Sequence, residues 1–207
     1  LAPRGRADLV REFAMPVSAE ALKSVTGLTN MHFSEMNRVS QGMIDGCANY
    51  AGDTDVEARC HDCTASIDAH ISAMQHTPLD DDDASLLAVQ TRAGMSGEQI
   101  SANIKLAISG GQNEPRDAIA GTAYALLAHP AQMQQLLAGR ATWLKAFEEY
   151  ARWMSPIGMS PRRVAHDYTW QGIDLKAEAR LFFMFGSANR DERVFERADE
   201  YDLSRDL

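Results

Sequence analysis

A basic surplus is what this sequence most plainly lacks: 20 Lys and Arg stand against 29 Asp and Glu, a formal charge of -9 at pH 7. Binding a phosphate backbone takes a cationic face, so the balance argues against a nucleic-acid partner. Long apolar runs are missing as well. No stretch approaches the ~20 apolar residues of a bilayer-spanning helix, and Leu1 to Arg6 lacks the apolar run of a signal peptide, which predicts a soluble, cytoplasmic chain without a membrane partner. Cysteine is scarce, and an odd count of three in a chain with no export signal argues against a disulfide framework. Strand-forming runs are few while Ala, Leu, Met, Gln and Glu are plentiful, which predicts a mainly α fold.

What is present is 207 residues at 45% hydrophobic content, enough for one sizeable core or a large piece of a bigger domain. Short helices are expected at Asp8 to Phe13 and Ser18 to Val25, with Ser18 as N-cap and Gly27 as stop. A helix is expected from Phe33 to Asn49, and a longer one capped by Asp55 and ended by Pro78. The run Asp80 to Asp83 is read as capping the helix that opens at Leu86. Ser96 caps a long apolar segment from Glu98 to His129, Pro130 opens another helix, and Thr142 caps the next. After Pro156 the pattern turns to short strands, with Gly172 at a turn and Ala179 to Phe185 of strand or short-helix length. No repeat or second domain is evident, so residues 1–207 are read as a single domain.

The long segment carries its own interruption. Pro115 has no N–H for the carbonyl of Gly111, and Gly110-Gly111 removes side chains one turn earlier. Such a weak point costs roughly 1 kcal/mol per Gly and ~3 for Pro, and it serves either a ligand groove or a tight helix crossing. Asn113 and Glu114 lie beside it. Farther on, Glu149 and Arg152 stand three apart, on one side of a helix, where a carboxylate and a guanidinium fork can pair.

Gly110-Gly111-Gln112-Asn113-Glu114, then Glu149-Tyr150-Ala151-Arg152, Arg162 and Ser187-Ala188-Asn189-Arg190-Asp191, in this order and at these distances, resemble the cytochrome P-450 family of haem-thiolate monooxygenases, bacterial soluble type. The likeness is weak to about Thr91 and clear from Ser96 to Asp206. It implies the helical portion of that fold with a few short β-strands after residue 160, present as an incomplete domain that lacks N-terminal helices and the C-terminal cysteine loop. The axial cysteine is accordingly expected beyond Leu207, with no metal ligand in this chain.

By the resemblance Gly110 and Gly111 let the backbone approach haem b, and Arg162 binds a haem propionate, with Arg163 a one-residue ambiguity. Asn113 stands where the family has an acid and Glu114 where it has a threonine, the two catalytic positions that deliver protons. Glu114 could carry protons if burial raised its pKa, or could instead pair with Arg116. Glu149 and Arg152 form the structural ion pair. The family's further arginine is matched by Glu200, so Arg197 or Arg190 would have to substitute. Substrate contacts are expected at Phe33 to Met43, the weakened helix, and Ile157 to Met159.

Cys60-His61-Asp62-Cys63 has no second cysteine pair and places both thiols on an apolar helix face, so they are read as core thiols, and Cys47 as packing. The implied activity of the full-length protein is insertion of one atom of dioxygen into an apolar small molecule, with electrons from a redox partner such as a ferredoxin or reductase. This piece is expected to be inactive alone. The alternative is a haem-free, non-catalytic helical binding or interaction module of the same descent.

Overall fold

In the computed structural model, which describes residues 4–75 and 81–206, helices carry most of the chain, as the residue pattern predicts. The chain divides into two compact units, Leu1–Ala120 and Gly121–Leu207.

In the first unit a π-helical turn, Val10–Ala14, runs directly into α1 (Met15–Thr26), so the two expected short helices are one. Pro16 follows the π-helical turn inside this continuous helix, and without an N–H it cannot donate to a carbonyl of that preceding turn. The segment is capped from Asp8, whose carboxylate accepts from the N–H groups of Val10 and Arg11 at 3.0 Å each. Ser18 is therefore no N-cap; it is buried within α1. Gly27 ends the helix at φ 86°, the left-handed conformation that favours glycine.

α2 (Phe33–Cys47) and α3 (Thr54–Gln75) follow. α3 is capped by Asp53 rather than Asp55: the Asp53 carboxylate accepts from the N–H of Asp55 at 2.8 Å and of Val56 at 3.3 Å. Pro78 and Asp80 lie outside the described residues. At α4 (Leu86–Arg92) the N-cap is Ser85, whose hydroxyl accepts from the Ala88 N–H, and not the aspartate run. Asp83 acts one step behind it by accepting from the Ser85 N–H at 2.8 Å.

α5 (Gly97–Gly111) opens with a capping box, Ser96 and Gln99 each accepting from the other's backbone N–H, and buries Ile100, Ile104 and Ile108 at four-residue spacing. These isoleucines meet Leu22, Leu28, Met31, Met36, Val39, Ile67, Ile71 and Leu87 in one core. The α2 and α3 backbones approach closely because glycine faces thiol: a Cβ on Gly42 would lie 2.3 Å from Cys63 Sγ, and one on Gly46 2.4 Å from Cys60 Sγ. Cys63 is buried and Cys60 half-buried, while Cys47 is exposed, contrary to the packing role expected of it.

The second unit begins within α6 (Asn113–Ala128) and continues with α7 (Pro130–Leu137) and α8 (Trp143–Met154), the last capped by Thr142. Its core joins Ala125, Leu126, Leu136, Ala146, Tyr150, Tyr201 and Leu203. Two antiparallel ribbons follow. β1 (Ser160–Arg163) pairs with β4 (Arg180–Phe183), Arg162 opposite Leu181. β2 (Tyr168–Trp170) and β3 (Ile173–Leu175) close over Gln171 and Gly172, both at positive φ, as a two-residue hairpin of this hand requires. The apolar run at Ala179 to Phe185 supplies both β4 and the start of the short α9 (Phe185–Ala188). Among the described residues no helix is long and apolar enough to cross a membrane.

Candidate functional site

In the first unit the site residues gather where the long helix breaks. α5 stops at Gly111 and α6 starts at Asn113, so the interruption falls on Gln112. Gln112 is 1% exposed. Its side-chain amide donates to Asn37 Oδ1 of α2 and, at 3.5 Å, to the Met15 carbonyl of α1. Ser18 of α1 donates its hydroxyl to the Gln112 backbone carbonyl at 2.7 Å, and Ser40 of α2 donates to the Ile108 carbonyl at 3.2 Å. A continuous helix would have offered that Ile108 carbonyl to the Gln112 N–H.

The two glycines beside the break differ. A Cβ on Gly111 would meet Leu22 Cδ1 at 3.0 Å, so its bareness serves the packing of α1 on α5. A Cβ on Gly110 would meet nothing within 4 Å, which leaves open space on that side of the helix. Asn113 is half-buried and Glu114 exposed, and neither carries a hydrogen bond or ion pair among the described residues. Glu114 thus lacks the burial on which the sequence reading made proton transfer conditional. It does not pair with Arg116 either, since Arg116 donates to Asp117 at 2.8 Å. From sequence no role of this kind falls to Gln112, Asn37 or Ser40, each an ordinary polar residue in a helical pattern, and Ser18 reads as an N-cap instead.

In the second unit Glu149 and Arg152 are brought together as expected. Glu149 is 0% exposed, and Arg152 donates to both of its oxygens, at 2.7 and 2.8 Å. The rest of the Arg152 fork donates to the carbonyls of Asn189, Ala198 and Glu200, tying α8 to the irregular segment that follows α9. Glu149 also accepts from the Asp202 N–H at 2.9 Å and from Arg205 Nε at 3.2 Å. Arg205 therefore supplies the further guanidinium, and the expectation of Arg197 or Arg190 is corrected: Arg197 pairs with Asp202, and Arg190 with Asp199 and the Trp153 carbonyl. Nearby, burial and the Glu149 charge push the Tyr201 hydroxyl well above the usual phenol range, and it donates to the Ala146 carbonyl.

Arg162 extends from β1. Its guanidinium donates to Ser160 Oγ at 2.6 Å and to the Pro161 carbonyl at 2.7 Å, with its carbon 5.6 Å from the centre of the Phe183 ring. It has no carboxylate partner among the described residues, whereas Arg163 is paired with Glu178 at 2.8 Å. Ile157, Met159, Phe182, Phe183 and Met184 are all more than half exposed. An exposed guanidinium free of any protein carboxylate, close to exposed apolar side chains, is a donor set that fits an apolar molecule bearing a carboxylate. No group of three or more His, Cys, Asp or Glu side chains gathers to hold a metal ion among the described residues.

A helical core with a long helix broken at Gly110 to Glu114, and a buried Glu-x-x-Arg pair answered by a second arginine, define a fold of the cytochrome P450 kind. Solved structures agree: CalO2 superposes with a TM-score of 0.83 at 24% identity over 98% of this chain and 52% of its own, and the Bacillus subtilis bacillaene synthase cytochrome P450 PksS with 0.81 at 22% over 99% and 53%. Steroid C26-monooxygenase of Mycolicibacterium smegmatis is 26% identical over 206 residues, covering 98% of this chain and 51% of its own length. Cytochrome P450 126 of Mycobacterium tuberculosis is 33% identical over 138 residues, 67% of this chain and 31% of its own. No family model matches the chain. By sequence and fold together, the chain belongs to the cytochrome P-450 family, whose cofactor is haem b. It spans about half the length of the curated relatives that match along nearly all of it.

Proposed function

We propose that residues 1–207 are part of one haem-dependent monooxygenase domain that inserts an atom of dioxygen into an apolar small molecule. The observation that carries this reading is the broken helix, where Gly110 faces open space next to two polar side chains, Asn113 and Glu114, that the fold leaves without partners.

Bound haem b supplies the oxygen-activating chemistry. Arg162 offers two-pronged donation to a propionate, and Gly110 lets the backbone come close to a flat face. The Gly111 carbonyl, to which Pro115 cannot donate, is an acceptor for a water or a substrate hydroxyl. Asn113 holds such a water by its amide, and Glu114 passes protons inward from solvent. The Glu149, Arg152 and Arg205 cluster touches no substrate; it holds the segment from Asn189 to Arg205 in place. The thiolate ligand is assigned to the part of the full-length protein that these 207 residues do not include, and they are inactive alone. A ferredoxin or reductase supplies the electrons, and the protein works in the cytoplasm.

One observation favours a second reading. Asn113 and Glu114 replace the family's usual acid and threonine, and Glu114 is exposed, with no side-chain partner among the described residues. A haem-free binding module would show that pattern.

The reduced, carbon-monoxide difference spectrum of the full-length protein separates the two. A strongly red-shifted Soret band is the result expected. Full-length protein without haem would refute the monooxygenase and leave the binding module.

A further inference from the structure

The buried amide of Gln112 is a polar group in the first unit that the reading above does not use. Burying an amide costs free energy unless its hydrogen bonds are replaced, and fixing a long flexible side chain costs about 1–2 kcal/mol more. A leucine would fill the same volume without the first cost. The amide is nonetheless satisfied at the helix break, and by groups from two other helices: Asn37 of α2 and the Met15 carbonyl of α1.

Two hydroxyls complete the arrangement from the same two helices. Ser18 of α1 donates to the Gln112 carbonyl, and Ser40 of α2 donates to the Ile108 carbonyl. Ser18 is 2% and Ser40 0% exposed, so water cannot substitute for either bond. The chain just before the break and at it, Ile108 and Gln112, is thereby tied to α1 and α2 by bonds that supplement the two helical ladders.

We propose that Gln112 is a positioning residue for the oxidation: clasped by Asn37, Met15 and Ser18, with Ser40 holding the Ile108 carbonyl one turn earlier, it fixes the offset between α5 and α6 and so fixes where the free side chains of Asn113 and Glu114 stand. The inference rests on the monooxygenase reading. Gln112 itself contacts no reacting atom, because its side chain points into the packed α1 and α2 side of the break. It acts through the two residues that follow it, and misplacement of a proton-delivering group by about 1 Å is enough to lower a rate by on the order of a hundredfold.

The test uses the full-length, haem-loaded protein with Gln112→Met, which keeps side-chain length and removes the amide. The double variant Asn37→Leu with Gln112→Met serves in case the single change leaves the Asn37 amide unsatisfied and the protein unfolded. The expected result is a kcat lower by at least about tenfold with KM little changed, oxygen consumption diverted from product to peroxide, and a shifted or broadened stretching band of the reduced carbon-monoxide complex. Amide exchange at residues 112–116 should accelerate in the same variants. Wild-type coupling, band and exchange in a folded variant would overturn this inference alone. Absence of the red-shifted Soret band from the wild-type protein would overturn the monooxygenase reading instead, and the inference with it.

Discussion

Arg152→Ala is the change whose consequence the structure sizes best. Arg152 is 5% and Glu149 0% exposed, and the pair makes two donor-acceptor bonds of 2.7 and 2.8 Å. Removing the guanidinium leaves a buried carboxylate with the Asp202 N–H and Arg205, deprives the carbonyls of Asn189 and Ala198 of their donor, and leaves that of Glu200 with only the longer bond from Arg205 at 3.4 Å. Breaking a buried pair from one side costs about 3–5 kcal/mol, and the residual support from Arg205 places this variant toward the lower end. At a urea dependence of about 1–3 kcal/mol per molar, the midpoint falls by 1 M or more. Trp153 donates its indole N–H to the Asp199 carbonyl beside this cluster, so its fluorescence reports the segment directly. Arg152→Lys retains the charge but lacks the fork, and should recover under half of the loss. A loss below about 1 kcal/mol for Arg152→Ala would refute the reasoning, because that is the worth of a solvent-exposed pair.

Arg205→Ala should destabilise less than Arg152→Ala, by about 1–3 kcal/mol, and in a double-mutant cycle with Glu149→Gln the two changes should be non-additive. Gly121→Ala would bring a Cβ to 2.0 Å from the Tyr150 hydroxyl and should cost about 1–3 kcal/mol by thermal unfolding, a loss that Tyr150→Leu in the same chain relieves. The Arg38 guanidinium and, less, the Ser66 hydroxyl hold the Glu35 carboxyl down to about 2 from 4.5, burial opposing them. Because the folded value is the depressed one, the stability this group contributes is complete above about pH 4.5 and is lost as pH falls to about 2, so amide exchange in α2 and α3 should accelerate across that window and Glu35→Gln should flatten the response. Thiol labelling should proceed in the order Cys47, Cys60, Cys63, following their exposure; equal rates would mean that the α2 and α3 crossing opens freely.

Where one residue settles a local geometry, the sequence was enough to read it. Ser96 and Gln99 close a capping box with no outside help, Thr142 accepts from the Lys145 N–H, and Gly27 and Gly172 take positive φ where a turn demands it. The misreadings arise where two neighbours compete for one role. Asp53 and Asp55 both suit an N-cap, and only the backbone direction after Gly52 decides for Asp53. The aspartates before Leu86 have a cap's chemistry, but Ser85 is two residues nearer than Asp83 and its short hydroxyl reaches the Ala88 N–H. Ser18 has a cap's chemistry, and tertiary packing turned that hydroxyl toward a carbonyl 94 residues away.

The same limit explains the two contributors that the sequence did not yield. Glu149 needs more than one fork to be satisfied when fully buried, but the second guanidinium comes from Arg205, 56 residues on, through a segment with no regular structure to give its spacing meaning. Gln112 lies between a glycine pair and an Asn-Glu pair, both of which draw attention as chemistry, while the amide between them reads as filler. Burial reverses that order: Gln112 is the enclosed and fully engaged side chain, and Asn113 and Glu114 are the free ones. A helix weakened by glycines and a proline would drift between offsets unless something outside it fixed one of them, and the groups that reach the break from α1 and α2 are Ser18, the Met15 carbonyl, Asn37 and Ser40. The weak point of the long helix is thus rigid in place because hydrogen bonds to neighbours supplement its own, and that combination lets a polar pair stand unpartnered without the backbone collapsing onto it.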